Sequence, residues 1–131
     1  MIEAAHLILY VSDQEAATRF YAATLAQKPQ LHVPGMTEFG LPGGAVLGLM
    51  PEAGIRRLLG AALPDPANAR GVPRAELYLR VGEPQEFHRR ALASGARELS
   101  ALERRSWGDW VAYSLDPEGH VLAFASLGQK G

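Results

Sequence analysis

Apolar and polar residues alternate with a period of two in two separate segments, and a helical pattern follows each segment. His6–Val11 alternates and leads through Asp13, a helix-capping residue, into a helical stretch over Gln14–Ala26. Glu76–Val81 alternates in the same way, and a second helical stretch covers about Gln85–Ser94. Alternation predicts a half-buried strand, and a small polar residue ahead of an apolar-periodic stretch predicts a helix start. The strand–helix unit therefore recurs after 70 positions.

Each strand–helix unit is followed by a predicted hairpin. The first hairpin covers Thr37–Met50 and turns at a Pro-Gly-Gly sequence, and the second covers Trp110–Ser126 and turns at Asp-Pro-Glu-Gly. Such clusters between alternating segments are typical of turns. A weaker strand pattern precedes each hairpin, at Gln30–Val33 and at Leu99–Arg104. Each half of the chain thus reads strand, helix and three strands.

The repeat predicts an α+β protein made of two tandem βαβββ modules. With 131 residues the chain is long enough for one domain with a sizeable core. We expect module 1 at about 1–52, a connector at about 53–73 and module 2 at about 74–131. The connector is rich in Pro, Asp, Asn and Gly and is expected to cover part of a cavity.

Alternation also predicts which side chains share a face of each sheet. On the first and the fifth strand the aliphatic side chains point to one face, where we expect the helices to pack. The opposite, more polar face carries His6, Ile8 and Tyr10 in the first half and Glu76, Tyr78 and Arg80 in the second. A sheet with helices on one side and a mixed face on the other predicts a curved sheet around a binding cleft.

Composition narrows the classes of function. The chain has no cysteine, so disulfides, thiolate metal sites and cysteine nucleophiles are excluded. Its net charge is −1 and its basic clusters are dispersed, which argues against nucleic acid as a partner. No apolar run approaches the ~20 residues of a membrane span, and the start lacks a signal-peptide pattern, so we expect a cytoplasmic protein with no membrane partner. Phosphate-binding loops and serine-hydrolase elbows are also missing.

Two segments resemble one known superfamily. His6–Asp13 followed by Arg19-Phe20-Tyr21 is similar to the opening of glyoxalase and bleomycin-resistance proteins, and Leu115–Phe124 is similar to their closing hairpin. With the repeat, this resemblance to the vicinal oxygen chelate superfamily, which includes extradiol dioxygenases, covers nearly the whole chain. It implies an incomplete barrel around a cleft, a small-molecule ligand and a homodimer.

The resemblance also implies four metal-ligand positions, on the first and fourth strands of each module. These positions carry His6, Gly48, Glu76 and Ala123, and two of the four residues have no ligating side chain. A protein site for Zn²⁺ normally uses at least three side-chain ligands. We therefore expect no metal cofactor, with Gly48 and Ala123 lining the ligand cleft instead.

Two hypotheses of function follow, with a third behind them. The first is a protein that binds a small amphipathic or aromatic molecule without a metal, as bleomycin-resistance proteins do. The alternative is an enzyme: a metal-dependent lyase or dioxygenase using His6 and Glu76, or a metal-free catalyst using the same two residues for proton transfer. Whether the chain is an enzyme stays open at this point. The third is an interaction module whose cleft is filled by side chains.

Candidate ligand-binding residues come from the repeat. Tyr10 and Tyr78 occupy matching positions on the polar face, and Arg80 shares that face with Tyr78. A strand residue four positions from Glu76 lies ~13 Å away, so His6 is the more natural partner for Glu76 than Arg80 is.

Two tryptophans are further candidates for the cleft. Trp107 and Trp110 flank a Gly-Asp pair that makes their surroundings loop-like. Aromatic walls suit planar or apolar ligands. Ordinary core packing is the alternative for both side chains.

Overall fold

Two four-stranded sheets organise the chain, and the computed structural model describes residues 1–128. The protein consists of two compact units. Of the described residues, the first comprises Met1–Ala22 and Ala26–Arg70, and the second comprises Ala23–Leu25 and residues 71–128. Within the described residues, no helix combines the length and apolar character needed to cross a membrane.

The first unit contains the first sheet and the first two helices. Its elements are β1 (His6–Val11), α1 (Gln14–Leu25, without its last three residues), β2 (Leu31–Val33), β3 (Met36–Gly40), β4 (Val46–Pro51) and α2 (Glu52–Leu59). The strand order is β1-β4-β3-β2. β1 pairs with β4 in parallel, and the other pairings are antiparallel. This pattern places the first strand of the unit beside its last strand.

Local sequence explains where α1 begins and how it is held. The Asp13 side chain accepts a hydrogen bond from the backbone N–H of Ala16 at 3.0 Å, which satisfies one of the free donors of the first turn. Phe20 of this helix is buried. The hydroxyl groups of Thr18 and Thr37 lie 2.9 Å apart and tie α1 to β3.

The second unit repeats the arrangement of the first. Its elements are β5 (Glu76–Arg80), α3 (Pro84–Ala93), β6 (Arg97–Arg104), β7 (Asp109–Leu115) and β8 (Val121–Leu127). The strand order is β5-β8-β7-β6, with β5 and β8 parallel. Phe87 of α3 packs on Phe124 of β8, with ring centroids 5.4 Å apart, so the helix covers one face of the sheet.

The other face of the second sheet is here called the tyrosine face. Val111, Ala123 and Ala125 form a buried cluster on it, and Tyr78 and Tyr113 pack against that cluster. Tyr78 and Tyr113 are both in register with Ala123, so the three residues form one row across β5, β8 and β7. This face therefore has a floor of small side chains between two aromatic ones.

The predicted fold class, α+β with two tandem βαβββ modules, is confirmed. The weak strand patterns are real strands, although β6 already begins at Arg97, two residues before the predicted start. The expected connector contains a helix, α2, and its residues 53–70 belong to the first compact unit. The expected single domain, with those module bounds, stays a prediction.

Gly119 and Gly108 provide a matched test of backbone packing in the second unit. Both residues have positive φ, 95° and 101°, where alanine is strained. A Cβ on Gly119 would meet Gly71 Cα at 2.8 Å, whereas a Cβ on Gly108 would meet nothing within 4 Å. We expect Gly119→Ala to lower the free energy of unfolding by about 1–3 kcal/mol more than Gly108→Ala, as measured by urea denaturation. Equal losses would contradict the close approach.

Candidate functional site

Four side chains of the second unit form a continuous hydrogen-bonded cluster, here called the Asp109 cluster. The Tyr78 hydroxyl donates to Asp109 Oδ2 at 2.5 Å, and Arg80 Nε donates to the same oxygen at 3.1 Å. Trp107 Nε1 donates to the Tyr78 hydroxyl at 3.0 Å. Three consecutive hydrogen bonds thus link the indole to the guanidinium group.

Small residues on β8 allow this cluster to form. Tyr78 lies on β5 and Asp109 on β7, which are two strand spacings apart, about 10 Å. Between them runs β8, which presents Ala123 and Ala125 to the tyrosine face. Because these side chains end at Cβ, the phenol ring of Tyr78 packs against them and its hydroxyl reaches Asp109.

Asp109 is the electrostatic centre of the cluster. Its side chain is buried, with a relative exposure of 0%. The hydrogen bond from Tyr78 and then the bond and charge of Arg80 lower the pKa of Asp109, and burial opposes them. The carboxylate is therefore ionised at neutral pH. Among residues 1–128, Asp109 Oδ1 is buried without a hydrogen-bond partner.

The two tyrosines of the face are neutral phenols rather than phenolates. Burial, and next the hydrogen bond to Asp109, raise the pKa of Tyr78. Burial, and next the negative charge of Glu76, raise the pKa of Tyr113. The guanidinium group of Arg105 lies 5.0 Å from the centre of the Tyr113 ring and opposes that rise in the pKa.

Arg105 is held by hydrogen bonds to its own sheet region and is not a free cation. Its Nη2 atom donates to the Val111 carbonyl at 2.7 Å and to the Ser100 hydroxyl at 2.7 Å, and Nη1 lies 3.4 Å from Glu103 Oε2. Its side chain is only 18% exposed. Arg105 therefore supports the edge of the tyrosine face, while the 60% exposed Arg80 is its accessible positive charge.

Several of the predicted site residues of the second half come together here, and one does not. Tyr78, Arg80 and Trp107 belong to the Asp109 cluster, and Ala123 lies in the floor beneath it. Trp110 pairs in register with Ser126 and, by strand alternation, points to the opposite face of the sheet.

Asp109 is a site residue that the sequence reasoning does not identify. The sequence places it in a loop-like segment between the tryptophans, but it is the first residue of β7. A signal is present, because Asp109 is two residues before Val111 and so shares its face. An acidic residue in phase with an apolar strand position needs a buried partner.

In the first unit the predicted residues have different neighbours. His6 Nδ1 lies 3.7 Å from Glu38 Oε2, and the His6 side chain is 43% exposed. Gly48 shares a face with Ile8, whose Cγ1 atom lies 3.0 Å from the place where a Cβ on Gly48 would be. The Ile8 side chain thus occupies the space that Gly48 leaves. Tyr10 is half-buried on the same face.

A resident divalent metal does not fit the residues at the four expected positions. In the first unit His6 is accompanied by Gly48, and in the second Glu76 is accompanied by Ala123, so each unit offers one donor side chain. Within residues 1–128 there is no group of three or more His, Asp or Glu side chains that could hold a metal ion. The use of His6 and Glu76 as a proton-transfer pair stays a prediction.

Two successive βαβββ units, each with its first and last strands paired in parallel, define a class of paired-module α+β proteins. The glyoxalase-like domain family matches residues 6–125. The chain belongs to this family and so to the vicinal oxygen chelate superfamily. No curated protein matches the chain.

Solved structures share the fold over almost the whole chain. A glyoxalase-related enzyme from Fulvimarina pelagi is 23% identical, with 96% of this chain and 88% of that chain covered and a TM-score of 0.80. A glyoxalase/bleomycin resistance protein/dioxygenase from Nocardioides is 22% identical, with 100% and 87% covered and a TM-score of 0.76. A glyoxalase/bleomycin resistance protein/dioxygenase family enzyme from Burkholderia phytofirmans is 17% identical, with 94% of this chain and 97% of that chain covered and a TM-score of 0.78. At these identities the likeness concerns the fold.

The hydrogen bond from Tyr78 can be tested through the titration of Asp109. Because that bond is the main cause of the lowered pKa of Asp109, we expect Tyr78→Phe to raise this pKa towards its ordinary value. Tyr113→Phe is the matched control, since Tyr113 lies on the same face without contributing to the pKa of Asp109. The measurement is a pH titration of the Asp109 carboxyl carbon by ¹³C NMR. Equal pKa values of Asp109 in wild type, Tyr78→Phe and Tyr113→Phe would contradict the role given to the Tyr78 hydrogen bond.

The ionised carboxylate also predicts how stability depends on pH. Because the folded pKa of Asp109 lies below its ordinary value of 3.8, its charge stabilises the fold above about that pH, and this stabilisation is lost as pH falls through the folded pKa. We expect Asp109→Asn to destabilise the protein at pH 7, and the difference from wild type to shrink below pH ~4 in urea denaturation. Glu3→Gln, at an exposed position, is the control. A difference that stays constant down to pH ~2 would contradict this prediction.

Proposed function

We propose that the tyrosine face binds a small amphipathic or aromatic molecule without a metal. The observation that carries the proposal is the position of Trp107. Trp107 is a large apolar residue and is 56% exposed. Its indole N–H is nevertheless fixed, because it donates a hydrogen bond to the Tyr78 hydroxyl. An exposed aromatic ring held in place beside a buried apolar floor suits contact with a planar ligand.

The fixed indole makes this contact favourable for an energetic reason. A free surface tryptophan loses rotational freedom when a ligand binds it, and that loss weakens affinity. In this protein the hydrogen bond from Trp107 to Tyr78, and the bond from Tyr78 to Asp109, restrict the ring before a ligand arrives. Because the one polar atom of the indole is already used, a ligand that meets the exposed ring meets an apolar surface.

The charges around the floor explain why the ligand should be amphipathic. Arg80 and Glu76 lie at the two ends of β5, about 13 Å apart, and both are exposed. The half-buried rings of Tyr78 and Tyr113 lie between those ends in register. A molecule with an apolar body and one polar end can place its body on the two rings and its polar end beside one of the two charged residues.

The donor set supports binding over the metal-dependent lyase or dioxygenase alternative, because Gly48 and Ala123 provide no ligand atoms. The homodimer and the cytoplasmic location expected from the sequence stay predictions.

The proposal predicts a local response of Trp107 to aromatic probes. We expect 2-naphthol, 2-naphthoate or indole to shift the Trp107 indole N–H cross-peak in a ¹H–¹⁵N spectrum, and to leave the Trp110 cross-peak nearly unchanged. Trp107→Leu should weaken binding of the responding probe about two- to twelvefold, because an aromatic contact contributes about 0.5–1.5 kcal/mol beyond its buried area.

Trp110→Leu is the matched control, since Trp110 lies on the opposite face of the same sheet. It should leave probe affinity within about twofold of wild type, provided that the spectrum shows a folded protein. The proposal fails if no probe shifts the Trp107 cross-peak, or if Trp110→Leu and Trp107→Leu weaken binding equally.

A further inference from the structure

We infer that the ligand of the tyrosine face is an aromatic acid, whose anionic group binds the terminal guanidinium nitrogens of Arg80 while its ring lies on Trp107. This inference rests on the proposed function and adds the charge and orientation of the ligand. It follows from an account of the hydrogen-bond donors in the Asp109 cluster.

Most donors of the cluster are already used. The Tyr78 hydroxyl gives its one proton to Asp109, and the indole of Trp107 gives its one proton to Tyr78. Arg80 has five N–H donors and uses the one on Nε for Asp109. Within residues 1–128 the terminal nitrogens of Arg80 make no other hydrogen bond or ion pair. The unspent donors of the cluster are therefore those of Arg80. Because the unpartnered Oδ1 atom of Asp109 is buried and Arg80 is exposed, the group within reach of a ligand calls for an acceptor.

The different burial of the Asp109 and Arg80 side chains favours an anionic acceptor on the ligand over a neutral one. Asp109 is fully buried, and its Oδ2 atom already accepts two hydrogen bonds. The Arg80 side chain is 60% exposed. A ligand at this end of β5 meets the positive charge first, because the compensating negative charge lies beneath it. Carboxylate and guanidinium groups also match in geometry, since two parallel N–H donors can face two oxygens.

The distance between the two binding groups suits a small molecule. The Trp107 indole and Arg80 Nε are joined through three hydrogen bonds of 3.0, 2.5 and 3.1 Å. A ring system of one or two fused rings with an attached acid group can therefore touch both. Asp109 acts here as a positioning residue, because it holds Arg80 and Tyr78 without lying at the surface.

Three probes with one ring system test the inference. They are 2-naphthoate, the neutral 2-naphthamide and the cationic 2-naphthylmethylammonium, each titrated into the full chain by calorimetry. We expect the acid to bind about two- to fivefold more tightly than the amide, and the cation to bind most weakly. The preference for the acid should fall between about 0.02 and about 0.5 M NaCl, because exposed charges are screened by salt.

Arg80→Gln should abolish the preference for the acid over the amide while the amide still binds. Arg104→Gln is the matched control: it removes one positive charge from β6, at a position in register with Trp110 and so on the other face. It should keep the preference. If Arg80→Gln does not fold, the salt dependence of the wild-type preference still decides the question.

The outcomes separate the two proposals. If the amide binds as tightly as the acid and shifts the Trp107 cross-peak, the aromatic site stands and the acid inference is overturned. A preference for the acid that survives in Arg80→Gln, or that does not change with salt in wild type, also overturns the acid inference. If none of the three probes shifts that cross-peak, the proposed function itself fails.

Discussion

The buried carboxylate of Asp109 is the constraint on which the rest of the second unit's polar face depends. A charge without access to water requires compensation, and Tyr78 and Arg80 provide it from a strand two positions away in the sheet. Once Tyr78 is held, Trp107 is held as well, because its N–H has the phenol oxygen as acceptor. One buried acid thereby fixes one aromatic and one positive group at the surface.

The fold could be predicted from the sequence because it depends on local periodicity. Alternation located β1 and β5, a capping residue located the start of α1, and turn sequences located both hairpins. The Asp109 cluster could not be predicted in this way. Tyr78 and Asp109 are 31 residues apart, and their contact depends on the register of three strands. Sequence pattern gives the face of a side chain but not its position along the neighbouring strand.

The two units share a topology but fill the corresponding faces differently. In the first unit the Ile8 side chain lies over Gly48, and His6 is near Glu38. In the second unit the alanine side chains of β8 are short, and aromatic and charged side chains of β5 and β7 form hydrogen bonds across them. A repeated backbone thus leaves room for separate chemistry in each copy, because backbone hydrogen bonds fix the strand order and side-chain size determines what can meet across it.

The alanine at position 123 has a consequence for how this scaffold can change. Ala123 lies in one row between Tyr78 and Tyr113, and its Cβ carries nothing further. A longer acidic side chain there would stand between the two rings, where Tyr78 now packs on its way to Asp109. We therefore expect a metal ligand gained at this position to compete for space with the ring that the hydrogen-bonded cluster uses. The size of the side chain at position 123 therefore determines whether this strand suits a metal site or the hydrogen-bonded cluster.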